Sequence, residues 1–397
     1  MVKPLGDIIP SSIVNEKEIM ELTTELVKIP SVSGREKELA EFMREKLVEL
    51  GFDVEIYEAE AGRPNVVGTL KGANGEPKLI LNGHMDTVPP GDEELWSRDP
   101  YGGEVSEGRI YGRGSCDMKG GLASMLMAVE AVLRSGIELK GDLIYEAVVD
   151  EERGGLKGTK FLVEKGVRGN YAVIAEPTEF EVQIAHKGDL GLELTVKGKA
   201  AHAATPEFGV NAIHKMVDVM SAILRIPEDF DWNSRRHRLV GPPTIGISVI
   251  EGGIQRNMVP DRCRIVIDRR VVPSLESLDV AKAEVEDAVN RLRAEDPELK
   301  AEVKTILEVE AYEISENEEI VESLKNCVMK CLGFEAEVTG APYFTDAHYL
   351  VNQGGIPTVA FGPGSIKQAH TIDEYIEVKQ LVEATKVYAE LIVNLLS

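Results

Sequence analysis

The sequence predicts an α/β chain, with a mainly parallel sheet sandwiched by helices and an inserted α+β segment. Three observations carry that expectation. Strand-like runs alternate with helical patterns through the first half. Those runs are continuously apolar, as strands covered on both faces are. After Lys187-Gly188 the pattern switches to period-two alternation, and the first texture resumes near Glu308. At 397 residues the chain exceeds the size at which one core stops growing. The expected division is therefore a discontinuous main domain (1–187 and 307–397) around an insert (188–306).

The elements follow in order. Asn15 with Glu18 has the form of an N-cap and its capping-box partner, and Ile19, Leu22 and Leu26 continue at helical spacing. Leu39, Phe42, Met43, Leu47 and Leu50 mark a second amphipathic helix that Gly51 stops. Val66–Leu70 and Leu79–Asn82 are strands, and Gly120–Leu133 is a mostly apolar helix. Then come a strand over Leu143–Val149, a helix over Leu156–Val163 and a strand over Tyr171–Ala175. In the insert, Leu190–Val196 alternates as a half-exposed antiparallel strand does. It is followed by a helix (Val210–Leu224), strands (Thr244–Ile250, Cys263–Ile267) and a helix (Leu275–Leu292). A helix over Glu318–Cys331, a strand over Pro357–Phe361 and a closing helix over Tyr375–Leu395 complete the pattern.

The formal net charge of −24 repels phosphate backbones and anionic lipids, which argues against nucleic-acid and membrane partners. No run is long and apolar enough to span a bilayer, and Met1–Asp7 carries no signal-peptide pattern, so a cytoplasmic location is expected. Cys327 and Cys331, four apart with no second pair, are expected to be buried thiols rather than a zinc knuckle.

The candidate chemistry lies at strand ends. Leu79–Asn82 runs into Gly83-His84-Met85-Asp86, and ligand sites form at the carboxyl ends of parallel strands. Asp86 is placed to hydrogen-bond the second ring nitrogen of His84 and fix its tautomer. The glycines of Tyr111-Gly112-Arg113-Gly114-Ser115-Cys116-Asp117 match neither a P-loop nor a dinucleotide turn. A tight loop that sets Asp117 before a helix fits better. Asp150-Glu151-Glu152 and Glu176-Pro177-Thr178 follow two further strands, and Ala369-His370-Thr371 lies near the end. Singly, such acids are ordinary solvated turns. Together, His84, Asp117, Glu152, Glu176 and His370 give two imidazoles and three carboxylates at one sheet edge. Anions so gathered repel unless a cation neutralises them. The nitrogen and oxygen donors fit two zinc ions better than magnesium or calcium.

The series Gly-His-Met-Asp, Gly-Arg-Gly-Ser-Cys-Asp-Met-Lys-Gly-Gly, Asp-Glu-Glu, Glu-Pro-Thr and Ala-His-Thr resembles the M20 metallopeptidase family in composition and order, over nearly the whole chain. The resemblance implies a zinc-exopeptidase-like catalytic domain with a lid or dimerisation insert, two divalent metals (zinc, or cobalt or manganese) and a homodimer formed through the insert. It implies that Asp117 bridges the metals, with His84 and Glu176 on one and Glu152 and His370 on the other. Glu151 would be the general base and Asp86 would orient His84. In the insert, His202 would stabilise the tetrahedral intermediate, from its own or a partner subunit. Asn257 and Arg270 would hold the substrate carboxylate. Gly364, in the turn after Pro357–Phe361, is a further substrate-binding candidate. One departure is visible: after Thr345-Asp346-Ala347 the family often has Arg, and here His348 follows. His186, His214 and His237 match nothing, and His237 is expected at the surface.

The expected activity is hydrolysis of an amide bond in a small N-acyl amino acid, as by acetylornithine deacetylase or succinyl-diaminopimelate desuccinylase. The alternatives are a carboxypeptidase or dipeptidase on short peptides and, in another class, a non-catalytic homologue that binds amino acids.

Overall fold

The computed structural model describes residues 13–397, so the Met1–Asp7 stretch lies outside the described residues. The chain divides into two compact units. The first comprises residues up to Ile184, Ile314–Thr339 and Thr345–Ser397; the second comprises Ala185–Glu313 and Gly340–Phe344.

In chain order, the elements are α1 (Glu16–Lys28), α2 (Lys37–Glu49), β1 (Asp53–Glu60), β2 (Arg63–Leu70), β3 (Lys78–His84), β4 (Glu104–Ser106), β5 (Arg109–Tyr111), α3 (Gly120–Ser135), β6 (Asp142–Val148), α4 (Thr159–Glu164), β7 (Tyr171–Ile174) and β8 (Val182–His186). There follow β9 (Gly188–Lys197), α5 (Ala212–Asp229), β10 (Thr244–Gly252), β11 (Arg262–Val271), α6 (Leu278–Glu295), β12 (Lys300–Val309) and β13 (Tyr312–Glu313). The chain closes with α7 (Glu319–Leu332), β14 (Val338–Ala341), β15 (Thr358–Ala360), β16 (Tyr375–Glu377) and α8 (Val378–Leu396).

The first unit is built on a sheet of order β1-β2-β6-β3-β7-β15-β8. Its centre, β6-β3-β7-β15, is parallel, and antiparallel pairs flank it on both sides. Every residue of β6 is buried, and Leu79, Ile80 and Leu81 of β3 are fully so, as the continuous apolar runs require. Among the covering helices, α3 is buried nearly all round, while α1 buries one stripe of Ile19, Leu22, Leu26 and Val27. Because β3, β6 and β7 run parallel, their carboxyl ends, and the residues after them, emerge at one edge.

The second unit is a four-stranded antiparallel sheet of order β10-β11-β9-β12, with α5 and α6 packed on one face. Its core holds Leu190, Leu192 and Leu194 of β9 with Met216, Val219 and Ile223 of α5.

Several local expectations are corrected. Asn15 caps α1 by accepting from the Lys17 N–H at 3.0 Å, but Glu18 pairs with Arg134 across the helices instead of closing a capping box. Tyr375–Glu377 is not helical: it pairs with β5 as a strand, and α8 begins only at Val378. The helix expected from Leu156 begins at Thr159. His237 is buried, with Nε2 3.2 Å from a Glu313 carboxylate oxygen. Cys327 is buried but Cys331 only half so.

One buried ion-pair network holds the turn after β6. Arg63, 4% exposed, donates to both oxygens of Glu36 and, at 2.8 Å, to Asp150. Asp150 sits in the left-handed region at φ 74°, immediately before Glu151-Glu152. Removing the one cation from such a network leaves two buried carboxylates uncompensated. Arg63→Met is therefore expected to cost about 3–5 kcal/mol, read from denaturant unfolding; a loss below about 1 kcal/mol would show that water replaces the guanidinium there.

Candidate metal centre

The candidate side chains of the first unit arrive from five separate segments. His84 ends β3, Glu151 and Glu152 follow β6, Glu176 follows β7, and Asp117 lies in the loop between β5 and α3. His370 comes from the segment before β16, at φ 61°.

Asp117 is the centre of the arrangement. Its Oδ1 lies 3.0 Å from His84 Nε2 and its Oδ2 lies 3.4 Å from His370 Nε2. The two imidazoles thus address opposite oxygens of one carboxylate. Glu152 stands 3.0 Å from His370 Nε2, and Glu151 stands 3.9 Å from His84 Nε2. One donor atom each from His84, Asp117 and Glu152 falls within a 4.8 Å span. Glu176 is 4% exposed, and its Oε1 is buried without a hydrogen-bond partner.

The electrostatics express this crowding. Burial and the neighbouring charges push Glu176 up to about 8, with Asp117 and Glu152 adding to the burial and His84 opposing it. Glu151 is likewise held well above the usual carboxylate range, chiefly by burial. Hydrogen bonds donated to the Asp117 and Glu152 carboxylates hold His370 up at about 10. Carboxylates this close need positive charge, and in the protein alone the imidazoles of His84 and His370 are placed to supply it. The orphaned oxygen of Glu176, the paired imidazoles and the nitrogen–oxygen donor set fit bound divalent cations.

The support around these groups is specific. Asp86 was expected to hydrogen-bond the second ring nitrogen of His84. It does so through its main-chain carbonyl, 2.8 Å from His84 Nδ1, while the nearest Asp86 carboxylate oxygen stays 3.8 Å away. The Asp86 carboxylate accepts from the Ser33 hydroxyl (2.7 Å) and from the main-chain N–H groups of Glu151 (3.1 Å) and Glu152 (3.3 Å). It therefore aims the acid-bearing turn rather than the imidazole.

Glu374 is a functional neighbour that sequence reasoning missed. Fully buried, it accepts from the N–H groups of Gly114, Cys116 and Asp117 and from Arg113. Asp346, also buried, accepts from the Thr159 hydroxyl at 2.6 Å, and Tyr349 donates to the Gly154 carbonyl. Gly364, at φ 94°, donates its N–H to Gln380, and a Cβ there would meet Cys116 Sγ at 2.6 Å.

The remaining candidates belong to the second unit. His202 is exposed on a loop bridged to Met258, and the Asn257 carbonyl accepts from the Ala203 N–H. The Ala204 N–H donates to His202 Nδ1 at 3.1 Å, which leaves Nε2–H as the outward donor of the neutral ring. Arg270 is engaged by both oxygens of Asp268 and by Asp189 at 3.0 Å.

With this geometry in view, comparison with known proteins is decisive. The model of peptidase family M20/M25/M40 matches residues 80–394. The chain belongs to that family. A relative, N-formyl-4-amino-5-aminomethyl-2-methylpyrimidine deformylase of Halalkalibacterium halodurans, is 31% identical over 94% of this chain and 93% of its own. A tripeptidase from Staphylococcus aureus superposes with a TM-score of 0.80 at 26% identity, covering 96% of this chain and 99% of its own. A dinuclear metal-binding M20 peptidase from Bacillus subtilis superposes at 0.70 and 17% identity, over 98% and 99%. This M20 protein is thus a metal-dependent hydrolase of linear amide bonds acting on small molecules. No helix among the described residues is long and apolar enough to cross a membrane.

A buried hydrogen-bond cluster lies on β3. Asn82, fully buried on β3, donates to Glu146 at 2.8 Å and to Thr159 at 3.0 Å. Burial pushes Glu146 up to about 7 despite the Asn82 hydrogen bond. A carboxyl raised in the fold stabilises fully below its unfolded pKa near 4.5 and loses that contribution as pH rises to about 7. Glu146→Gln keeps an acceptor without the charge. It is expected to be more stable than the unaltered protein at pH 8, by up to about 3 kcal/mol, with the difference vanishing below pH ~4.5. Paired unfolding curves across that range are the check; a pH-independent difference would contradict it.

Proposed function

We propose that the protein is a two-metal deacylase that removes a small acyl group from the nitrogen of a small amine or amino acid. The observation that carries this reading is the Asp117 carboxylate set between His84 and His370, with Glu151 beside it. The deformylase name of the relative supports the acyl-amine branch; the expectation from sequence placed acetylornithine or succinyl-diaminopimelate there. The tripeptidase likeness supports the second reading, cleavage of short peptides.

Asp117 would bridge the ions, with His84 and Glu176 completing one site and Glu152 and His370 the other. Ions held there would supply Lewis acidity and lower the pKa of the attacking water. Glu151 takes the proton of the attacking water and returns it to the departing amine. Its raised proton affinity suits it to both transfers. Asp86 holds the Glu151 N–H and so fixes where that base stands. His202 Nε2–H donates to the carbonyl oxygen as it gains charge, from its own or a partner subunit. Residues 1–187 and 307–397 would form the catalytic domain, and 188–306 the lid through which the chain dimerises. Edge strand β10 exposes Val249 and Ile250, a surface suited to pairing with a second copy.

The decisive assay is amine release from a panel of N-formyl amines, N-acetylornithine, N-succinyl-diaminopimelate, other N-acyl amino acids and dipeptides. Zinc- or cobalt-loaded protein is expected to turn over acyl compounds and chelated protein to be silent; turnover confined to dipeptides would move the enzyme to the peptidase branch. Glu151→Gln should retain the metals and lose at least ~10²-fold in rate, and substantial residual turnover would remove Glu151 from the base role. Ile250→Asp should convert a dimer to a monomer in sedimentation; an unaltered protein that is already monomeric would exclude the proposed pairing.

A further inference from the structure

Asp117 and His370 approach each other from segments more than 250 residues apart. Neither segment holds its own shape by regular secondary structure. Asp117 lies at φ −121°, ψ 96° between Gly114 in the left-handed region and the first turn of α3. His370 is half-exposed, and both it and Asp373 have positive φ. What joins the two is Glu374. Its carboxylate accepts from Asp117 N–H at 3.0 Å and Cys116 N–H at 2.9 Å through one oxygen. The other oxygen accepts from Gly114 N–H at 3.1 Å and from Arg113 at 2.5 Å. Its main-chain carbonyl accepts from Gly112 N–H at 2.8 Å. Five donors of the 112–117 loop therefore converge on one residue, four positions beyond His370.

We propose that Glu374 is a positioning residue that sets the Asp117 carboxylate against His370, and so fixes the affinity and geometry of the metal pair. The proposal rests on the two-metal reading. Its physical basis is a count of donors. A carboxylate offers enough lone pairs for three N–H groups and a guanidinium, and it is charged, so each bond is of the stronger kind. A glutamine of the same shape offers one acceptor oxygen and turns an NH₂ toward donors. At least one loop N–H then loses its partner, and the loop must shift to reach another.

The test is metal binding by the full-length protein, measured by zinc competition against a chromophoric chelator, together with the visible spectrum of the cobalt-loaded form. The unaltered protein is expected to take up two equivalents. Glu374→Gln should bind about 10–100-fold more weakly, with a changed cobalt spectrum and a metal-free melting lowered by the loss of Arg113's buried counter-charge. Should that variant fail to fold, Glu374→Asp, which keeps the charge but withdraws the carboxylate by one methylene, should show a smaller loss and the same spectral change. Asp373→Ala cuts a second anchor of the same segment, the bond to Ser97 N–H, without touching the Asp117 loop. It should leave the affinity within about threefold, since it removes no partner of the ligands. Two equivalents on the unaltered protein with unchanged affinity and spectrum in both Glu374 variants would overturn the positioning role alone. An equal loss in Asp373→Ala would also overturn it, by showing that general loosening suffices. Fewer than two equivalents on the unaltered protein would overturn the two-metal reading and this proposal with it.

Discussion

Repulsion among buried carboxylates shapes the catalytic unit. Asp86, Asp117, Glu151, Glu176, Asp346 and Glu374 are all nearly or fully buried near the carboxyl ends of β3, β6 and β7, with Glu152 half-buried beside them. Left unpaired in a low dielectric, such a set would be prohibitive. The protein answers in two ways. Asp86, Asp346 and Glu374 point into the fold and are satisfied by hydroxyls, main-chain N–H groups or Arg113. Asp117 and Glu152 meet only imidazoles in this site, and an oxygen of Glu176 meets nothing. Satisfied carboxylates build the frame, and unsatisfied ones face the place where cations would sit.

The same division explains what was legible in the sequence. In a parallel sheet, chain direction alone delivers strand ends to a common edge, so His84, Glu152 and Glu176 could be grouped from the runs that precede them. The α/β alternation and the antiparallel character of the second unit were equally local. What could not be read depends on partners far apart in the chain. Glu374 follows Asp373 in a polar stretch and looks like any solvated acid; only the fold brings Gly114, Cys116 and Asp117 to it. His237 is paired with Glu313, and Asp150 with Arg63, each far off in sequence. The edge strand β1, with Glu at every second or third position, has too little apolar content to stand out. Asp86 was identified as the partner of the second His84 ring nitrogen, but which of its oxygens makes that contact was not legible, because a spacing of two residues serves the carbonyl as well as the carboxylate.

Protonation links the frame to the metals. In the protein alone, the proton on His370 acts as the counter-ion for Asp117 and Glu152, which is why its pKa rises to about 10. A proton can fill that role only in part, since it neutralises one charge and leaves Glu176 with an unpaired oxygen. A divalent ion bound by the same nitrogen must displace that proton, so uptake is coupled to proton release. In the protein alone an imidazole stands opposite each oxygen of the Asp117 carboxylate, the arrangement from which the two-metal proposal is argued. The frame groups are held by main-chain and hydroxyl dipoles and by Arg113.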